Sequence, residues 1–177
     1  MRKILIVVDM QKDFVDGALG TGEAVAIVPN VVRKIRSHNG PVIATYDTHN
    51  STYLQSNEGS HLPVPHCIRA TAGWQLDAQV AQALGEKGFT PVLKGTFGSV
   101  DLPGVVEMIA DGEAFELELV GLCTDICVVS NALLLKAHFP ETEIYVDPAC
   151  CAGVTPQSHL NALSAMKLCQ ITVENEN

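Results

Sequence analysis

A chain of 177 residues, 47% of them hydrophobic and with a formal net charge of −9, is long enough for one full core and too apolar to stay disordered. Its negative balance and its lack of Lys/Arg runs exclude a nucleic-acid surface. No apolar stretch reaches the roughly 20 residues of a membrane-spanning helix, so no membrane partner is expected.

The N-terminal run "ILIVV" meets Asp9 too early for a signal peptide, so Lys3 to Asp9 reads as a strand. "VAIVPNVVRKIRSHNG" has apolar residues at helical spacing, with Gly40 as a candidate C-cap. A second strand spans Pro41 to Asp47. From Thr48 to about Trp74 the chain is rich in Asn, Ser, Gly, Pro and His and reads as a long, functional loop. "QLDAQVAQALGEKG" reads as a helix, Phe89 to Lys94 as a strand and "LPGVVEMIADG" as a helix. "AFELELVGL" is a strand, Asp125 to His138 a helix and Thr142 to Asp147 a strand. A helix capped by Thr155, with Pro156 in its first turn, and a last strand in "QITVE" complete the chain.

Six strands alternating with about five helices predict one α/β domain over residues 1–177, with parallel strands and helices on both faces. Ligands then bind beyond the carboxyl ends of the strands, where Asp9, Asp47, Lys94, Asp147 and the segment carrying Cys127 fall. Without a signal peptide, the six cysteines are expected to be reduced thiols in a cytoplasmic protein. There is no CxxC, and adjacent Cys150 and Cys151 read as small buried residues.

Cys127 falls in the first turn of a predicted helix, where the helix dipole alone lowers a thiol pKa by about one unit. Asp9 can take the thiol proton while Lys94 keeps Asp9 ionised. On pattern alone the same residues also read as a strand-end cap, its salt-bridge partner and a packing cysteine. Asp47 and His49, two apart in extended chain, point to one side and can grip one ion, with His66 as a third ligand. Surface histidines near turns are the other reading.

"VVDMQKDF" (Val7 to Phe14), Lys94 in "VLKG" and "GLCTDICV" (Gly121 to Val128) resemble the isochorismatase-like cysteine hydrolases, in the right order along the chain. "TYDTHN" and "PHCIRATAGW" are similar to the metal-containing nicotinamidases (pyrazinamidases) of that superfamily, with Ala70 where Gly is usual. The resemblance implies a three-layer, Rossmann-like α/β/α fold with a six-stranded, mostly parallel sheet. It implies a catalytic triad of Asp9, Lys94 and Cys127. It also implies a cis peptide at Leu122–Cys123 and an oxyanion hole from the Cys123 and Cys127 backbone N–H groups. Asp47, His49 and His66 would hold a divalent metal (zinc, manganese or iron), with Glu58 or Ser60 as a possible addition. Phe14 would line the pocket for a small-molecule amide substrate, and homo-oligomers are common. A tryptophan frequent before the third ligand is missing, Pro63 being the nearest position. Phe97 or Ser99 could also reach the pocket, whereas His138 and His159 read as core or surface. The implied reaction is nicotinamide to nicotinate and ammonia through a thioester on Cys127. The alternatives are another hydrolase of the superfamily, acting on a carbamoyl, maleamate or isochorismate-like compound, or a non-catalytic module.

Overall fold

The apolar runs become the middle of a parallel sheet in the computed structural model, which describes residues 1–174. The strands are β1 (Arg2–Val8), β2 (Val42–Asp47), β3 (Thr90–Lys94), β4 (Phe115–Leu122), β5 (Ile144–Ala152) and β6 (Thr172–Val173). Their spatial order is β3-β2-β1-β4-β5-β6, and every paired neighbour is parallel. The helices are α1 (Lys12–Val15), α2 (Gly22–Ser37), α3 (Asn57–His61), α4 (Ala78–Lys87), α5 (Leu102–Ala110), α6 (Val129–His138) and α7 (Pro156–Leu168).

Alternation along each strand divides the core in two. Leu5, Val7, Val42, Ala44 and Val120 face α2 and α4, while Ile4, Ile6, Val8, Leu117 and Leu119 face α5, α6 and α7. Both faces are covered, which is why β1 is apolar almost throughout. Gly121 makes one close approach possible. Its φ is +118°, and a Cβ there would lie 2.1 Å from the Val8 carbonyl oxygen.

Most boundaries shift by a residue or two and α1 was not expected; four further differences are larger. α2 stops at Ser37 and caps at His38, so Gly40 is not its C-cap. Gly40 is instead packed where a Cβ would meet the Lys3 carbonyl at 2.0 Å. The long loop contains a 3₁₀ turn (Tyr53–Gln55) and α3, whose N-cap is Ser56. The helix expected from Asp125 begins as a π-helical turn, Thr124–Val128, before α6. β5 runs on to Ala152 past a register shift: Ile144 and Val146 pack on one face, Cys150 and Ala152 on the other. Asp147 is therefore inside the strand, and it pairs with Lys34 of α2 at 2.8 Å rather than joining the other strand-end groups. No helix among the described residues is long and apolar enough to cross a membrane.

Replacing Gly121 with Ala should cost about 1–3 kcal/mol, because backbone must move. The urea midpoint measures this, and an unchanged midpoint would contradict the close approach.

Candidate active site

β1, β2 and β3 are neighbours, and Asp47 is the register partner of Lys94. Their carboxyl ends therefore deliver Asp9, Asp47 and Lys94 to one place. Asp9 follows β1 with φ +45°, a conformation that few residues other than glycine adopt and one that clusters at functional sites. Thr45 Oγ1 donates to Asp9 Oδ1 at 2.6 Å and accepts from the Asp9 amide at 3.2 Å. Asp9 Oδ2 pairs with Lys94 Nζ at 2.6 Å and is otherwise without a hydrogen-bond partner among the described residues.

Cys127 arrives from β4, on the other side of β1. The turn that carries it follows a cis Leu122–Cys123 peptide, as the resemblance implies. Lys94 Nζ donates to Cys127 Sγ at 3.5 Å and to the Thr96 carbonyl at 3.1 Å, and lies 3.4 Å from Asp47 Oδ1. Asp9, Lys94 and Cys127 thus meet in one buried cluster, with side-chain exposure of 0% and 1% for the first two.

Burial and mutual charge set the protonation states. Burial pushes Asp9 up, and the Asp47 charge adds to this against the pull of Lys94. Burial alone would lower Lys94, but the charges of Asp9, Cys127 and Asp47 more than reverse it, so the ammonium stays charged. Burial pushes the Cys127 thiol well up, and Asp9 adds to that, with Lys94 in opposition. The roughly one unit that a helix dipole alone would lend acts against this burial, and the thiol is left raised.

The second cluster adjoins the first through Asp47. His49 Nε2 is 2.9 Å from Asp47 Oδ2 and 3.5 Å from Glu58 Oε1, and His66 Nε2 is 3.5 and 3.6 Å from the same two oxygens. One ligand atom from each of these four residues lies within 4.8 Å of all the others. Two imidazoles and two carboxylates are a donor set that suits zinc, manganese or iron. His66 Nδ1 is bound to the Val64 carbonyl at 2.8 Å, which orients the ring and presents Nε2 to the cluster. Burial opposes ionisation of Asp47, yet the His49 and His66 hydrogen bonds and the Lys94 charge hold its carboxyl well below the usual range. Ser60 stays outside: it is exposed, and its hydroxyl donates to the Asn57 carbonyl at 2.7 Å. Glu58 joins the cluster.

Both clusters open into a cavity of about 210 Å³. Besides Cys123, Cys127, Asp47, Glu58 and His66, it is lined by Phe14, Leu19, Leu62, Phe97, Ile126 and Val154, with Thr21. Phe14 is 5.4 Å from the His66 ring, centroid to centroid. Leu62 rather than Pro63 lines the cavity. Trp74 packs on Tyr46 and donates to Thr48 Oγ1 at 2.9 Å. Ser99 lies behind the wall, its amide bound to Asn131 Oδ1.

Two organising residues escaped the sequence reading. Gln11 is fully buried; its amide nitrogen donates to the Asp47 and Trp74 carbonyls, and its oxygen accepts from the Asp47 amide at 2.7 Å. Asn131, also buried, donates to the Cys127 carbonyl at 2.8 Å and the Phe97 carbonyl at 3.1 Å. The available signal was a lone amide inside an apolar run, in "VVDMQ" and "VVSNALLL".

The model of the isochorismatase domain family matches residues 3–176. A nicotinamidase/pyrazinamidase of Mycobacterium tuberculosis is 28% identical over 184 aligned positions, covering 96% of each chain. The crystal structure of a nicotinamidase/pyrazinamidase from Bacillus subtilis is 26% identical with a TM-score of 0.81, over 98% of this chain and 99% of that one. A pyrazinamidase of Pyrococcus horikoshii, solved in complex with zinc, is 26% identical with a TM-score of 0.75, over 98% of each chain.

Stripped of metal and then dialysed against zinc, the protein should retain about one ion per chain by elemental analysis, and His66→Ala, which removes one of the four donors, should lose most of it. Equal zinc retention by the variant would contradict this assignment.

Proposed function

The chain belongs to the isochorismatase family, and within it we propose a cysteine amidohydrolase that converts nicotinamide to nicotinate and ammonia. The observation that carries this reading is the Lys94 ammonium in reach of Asp9, Asp47 and Cys127, joining a nucleophile to a four-donor cluster at one cavity. The nicotinamidase relatives support the substrate. The lining supports it too: its charged residues are Asp47 and Glu58, and no Lys or Arg is among them. An isochorismate- or maleamate-like anion would want a cationic wall, whereas a neutral flat amide fits between Phe14 and the aliphatic residues.

In this mechanism Cys127 Sγ attacks the carboxamide carbon while its proton passes to Asp9. The raised thiol keeps the proton until substrate arrives, and Asp9 takes it over a short path inside a dry site. The oxyanion is received by the Cys123 and Cys127 amides. Asp9 then gives the proton to the departing nitrogen, so ammonia leaves and a thioester remains. Water attacks the thioester and loses a proton to Asp9. Collapse expels the Cys127 sulfur, which recovers that proton, and nicotinate is released. Lys94 stays charged throughout, balancing Asp9 or the thiolate. Asp47, His49, Glu58 and His66 would hold a divalent ion, which when bound would supply Lewis-acid chemistry at the substrate's end of the cavity.

The same reading makes the protein a cytoplasmic homo-oligomer that feeds nicotinate to NAD salvage. Its six free thiols suit a reducing compartment.

Purified protein should release ammonia from nicotinamide. Cys127→Ala should abolish this, and Cys123→Ala should retain most of it, because Cys123 acts through its backbone. A wild type inert on nicotinamide but active on another amide would reject the substrate and keep the mechanism. The pH profile carries a sign. Asp9 must be ionised to accept the thiol proton, and its pKa is raised, so kcat/KM should fall on acidification at a pH above the ordinary 3.8. An acid limb at or below 3.8 would contradict Asp9 as the base.

A further inference from the structure

Thr124 opens the turn that carries Cys127, and it is fully buried. Its hydroxyl hydrogen-bonds Nδ1 of His159 at 2.8 Å. The local structure is built to bring this histidine in. Thr155 and Ser158 form a capping box that fixes the start of α7, and the His159 amide donates to the Thr155 carbonyl at 3.0 Å. A Cβ at Gly153 would lie 2.9–3.0 Å from His159 N, Cα and Cβ, so a glycine there lets the first turn of α7 press against the end of β5. The Asp125 carboxylate accepts from the Val154 amide at 3.1 and 3.2 Å, tying the same connection to the nucleophile turn from its other side.

Within the turn, the Cys123 carbonyl accepts from the Ile126 and Val128 amides at 3.1 and 3.0 Å. Those bonds hold the turn to itself. The Thr124 hydroxyl and the Asp125 carboxylate hold it to the outer helix layer, and of these the hydroxyl adjoins Cys123. Burial lowers the His159 pKa and so favours the neutral ring, which can pair with the hydroxyl in either tautomer.

We propose that His159 is a positioning residue that, through Thr124 Oγ1, fixes the orientation of the Cys123 and Cys127 amides toward the oxyanion. The proposal rests on the amidohydrolase reading, since it assigns His159 a role in holding that reaction's tetrahedral intermediate. The histidine touches neither substrate nor the reacting atoms. Its effect should therefore appear in the chemical step, where small displacements are costly, and not in substrate binding.

The test compares Thr124→Val, Thr124→Ser, His159→Leu and His159→Asn with wild type. Thr124→Val keeps the side-chain volume and removes the hydrogen bond, circular dichroism checks that each variant is folded, and Asn offers a polar amide near the position of Nδ1. Thr124→Val and His159→Leu should lower kcat by roughly 10- to 100-fold with KM changed less than about twofold. The double variant should be no worse than either single one, and Thr124→Ser and His159→Asn should recover most of the loss. A second readout is binding of the aldehyde analogue of nicotinamide, to which Cys127 adds as the new C–S bond forms and the thiol proton passes to the aldehyde oxygen or Asp9. Its affinity should fall in parallel with kcat, while nicotinate affinity is unchanged. Wild-type kcat in Thr124→Val, or a kcat loss without weaker aldehyde binding, overturns the proposal. A wild type inert on nicotinamide overturns the substrate instead, and the same variants are then compared on whichever carboxamide it hydrolyses. A protein inert on all of them overturns both.

Discussion

One buried cation organises this molecule. The Lys94 side chain is 1% exposed, and an ammonium removed from water costs several kcal/mol unless anions surround it. Asp9 at 2.6 Å, Asp47 at 3.4 Å, the Thr96 carbonyl and the Cys127 sulfur provide that surround. The requirement couples two clusters. Asp9, which shares Lys94 with Cys127, and Asp47, which belongs to the four-donor cluster, are both partners of one lysine. A change at either is felt by the other through Lys94, and the same burial that makes the ion pair necessary raises Asp9 and the Cys127 thiol.

The sheet provides this arrangement through its order. β1 lies between β2 and β4, so Asp9 is flanked by the strand that brings Asp47 and the strand that leads to Cys127. β3, next to β2, sets Lys94 opposite Asp47 by register. The outer parts then hold the strand ends in place. Gln11 joins the β1 and β2 ends, Asn131 joins the Cys127 turn to the Phe97 segment, His159 of α7 meets that turn, and Val154, just before α7, meets it through Asp125. The cavity these elements leave is lined mostly by apolar side chains, with Thr21, Asp47, Glu58 and His66 as its polar members.

Much of this was legible in the residues. Strand-length apolar runs ending in Asp9, Asp47 and Lys94 gave the parallel fold and its functional edge, because strand period and sheet chirality leave few topologies. The motifs around Cys127, Asp47 and His66 gave membership of the family, and the fold brings those three side chains to one cavity. What stayed hidden depended on tertiary packing. Asp147 reads as a strand end but sits inside β5, because a register shift near Pro148 lets the strand continue. The net direction of the thiol shift was hidden because a helix dipole is visible in sequence and burial is not. His159 was passed over because nothing in its helical spacing shows that Gly153 draws α7 inward, and Leu62 facing the cavity in place of Pro63 is a matter of loop path.

The central claim is that amide cleavage proceeds through an acyl group on Cys127. Partitioning tests it most directly. Wild-type protein is given nicotinamide or methyl nicotinate in the presence of hydroxylamine, and hydroxamate and nicotinate are measured. If both substrates pass through one thioester, the ratio of hydroxamate to nicotinate is the same for both, and Cys127→Ala gives neither product. Different ratios for the two substrates, or nicotinate formed with no hydroxamate, would contradict a shared acyl-Cys127 intermediate.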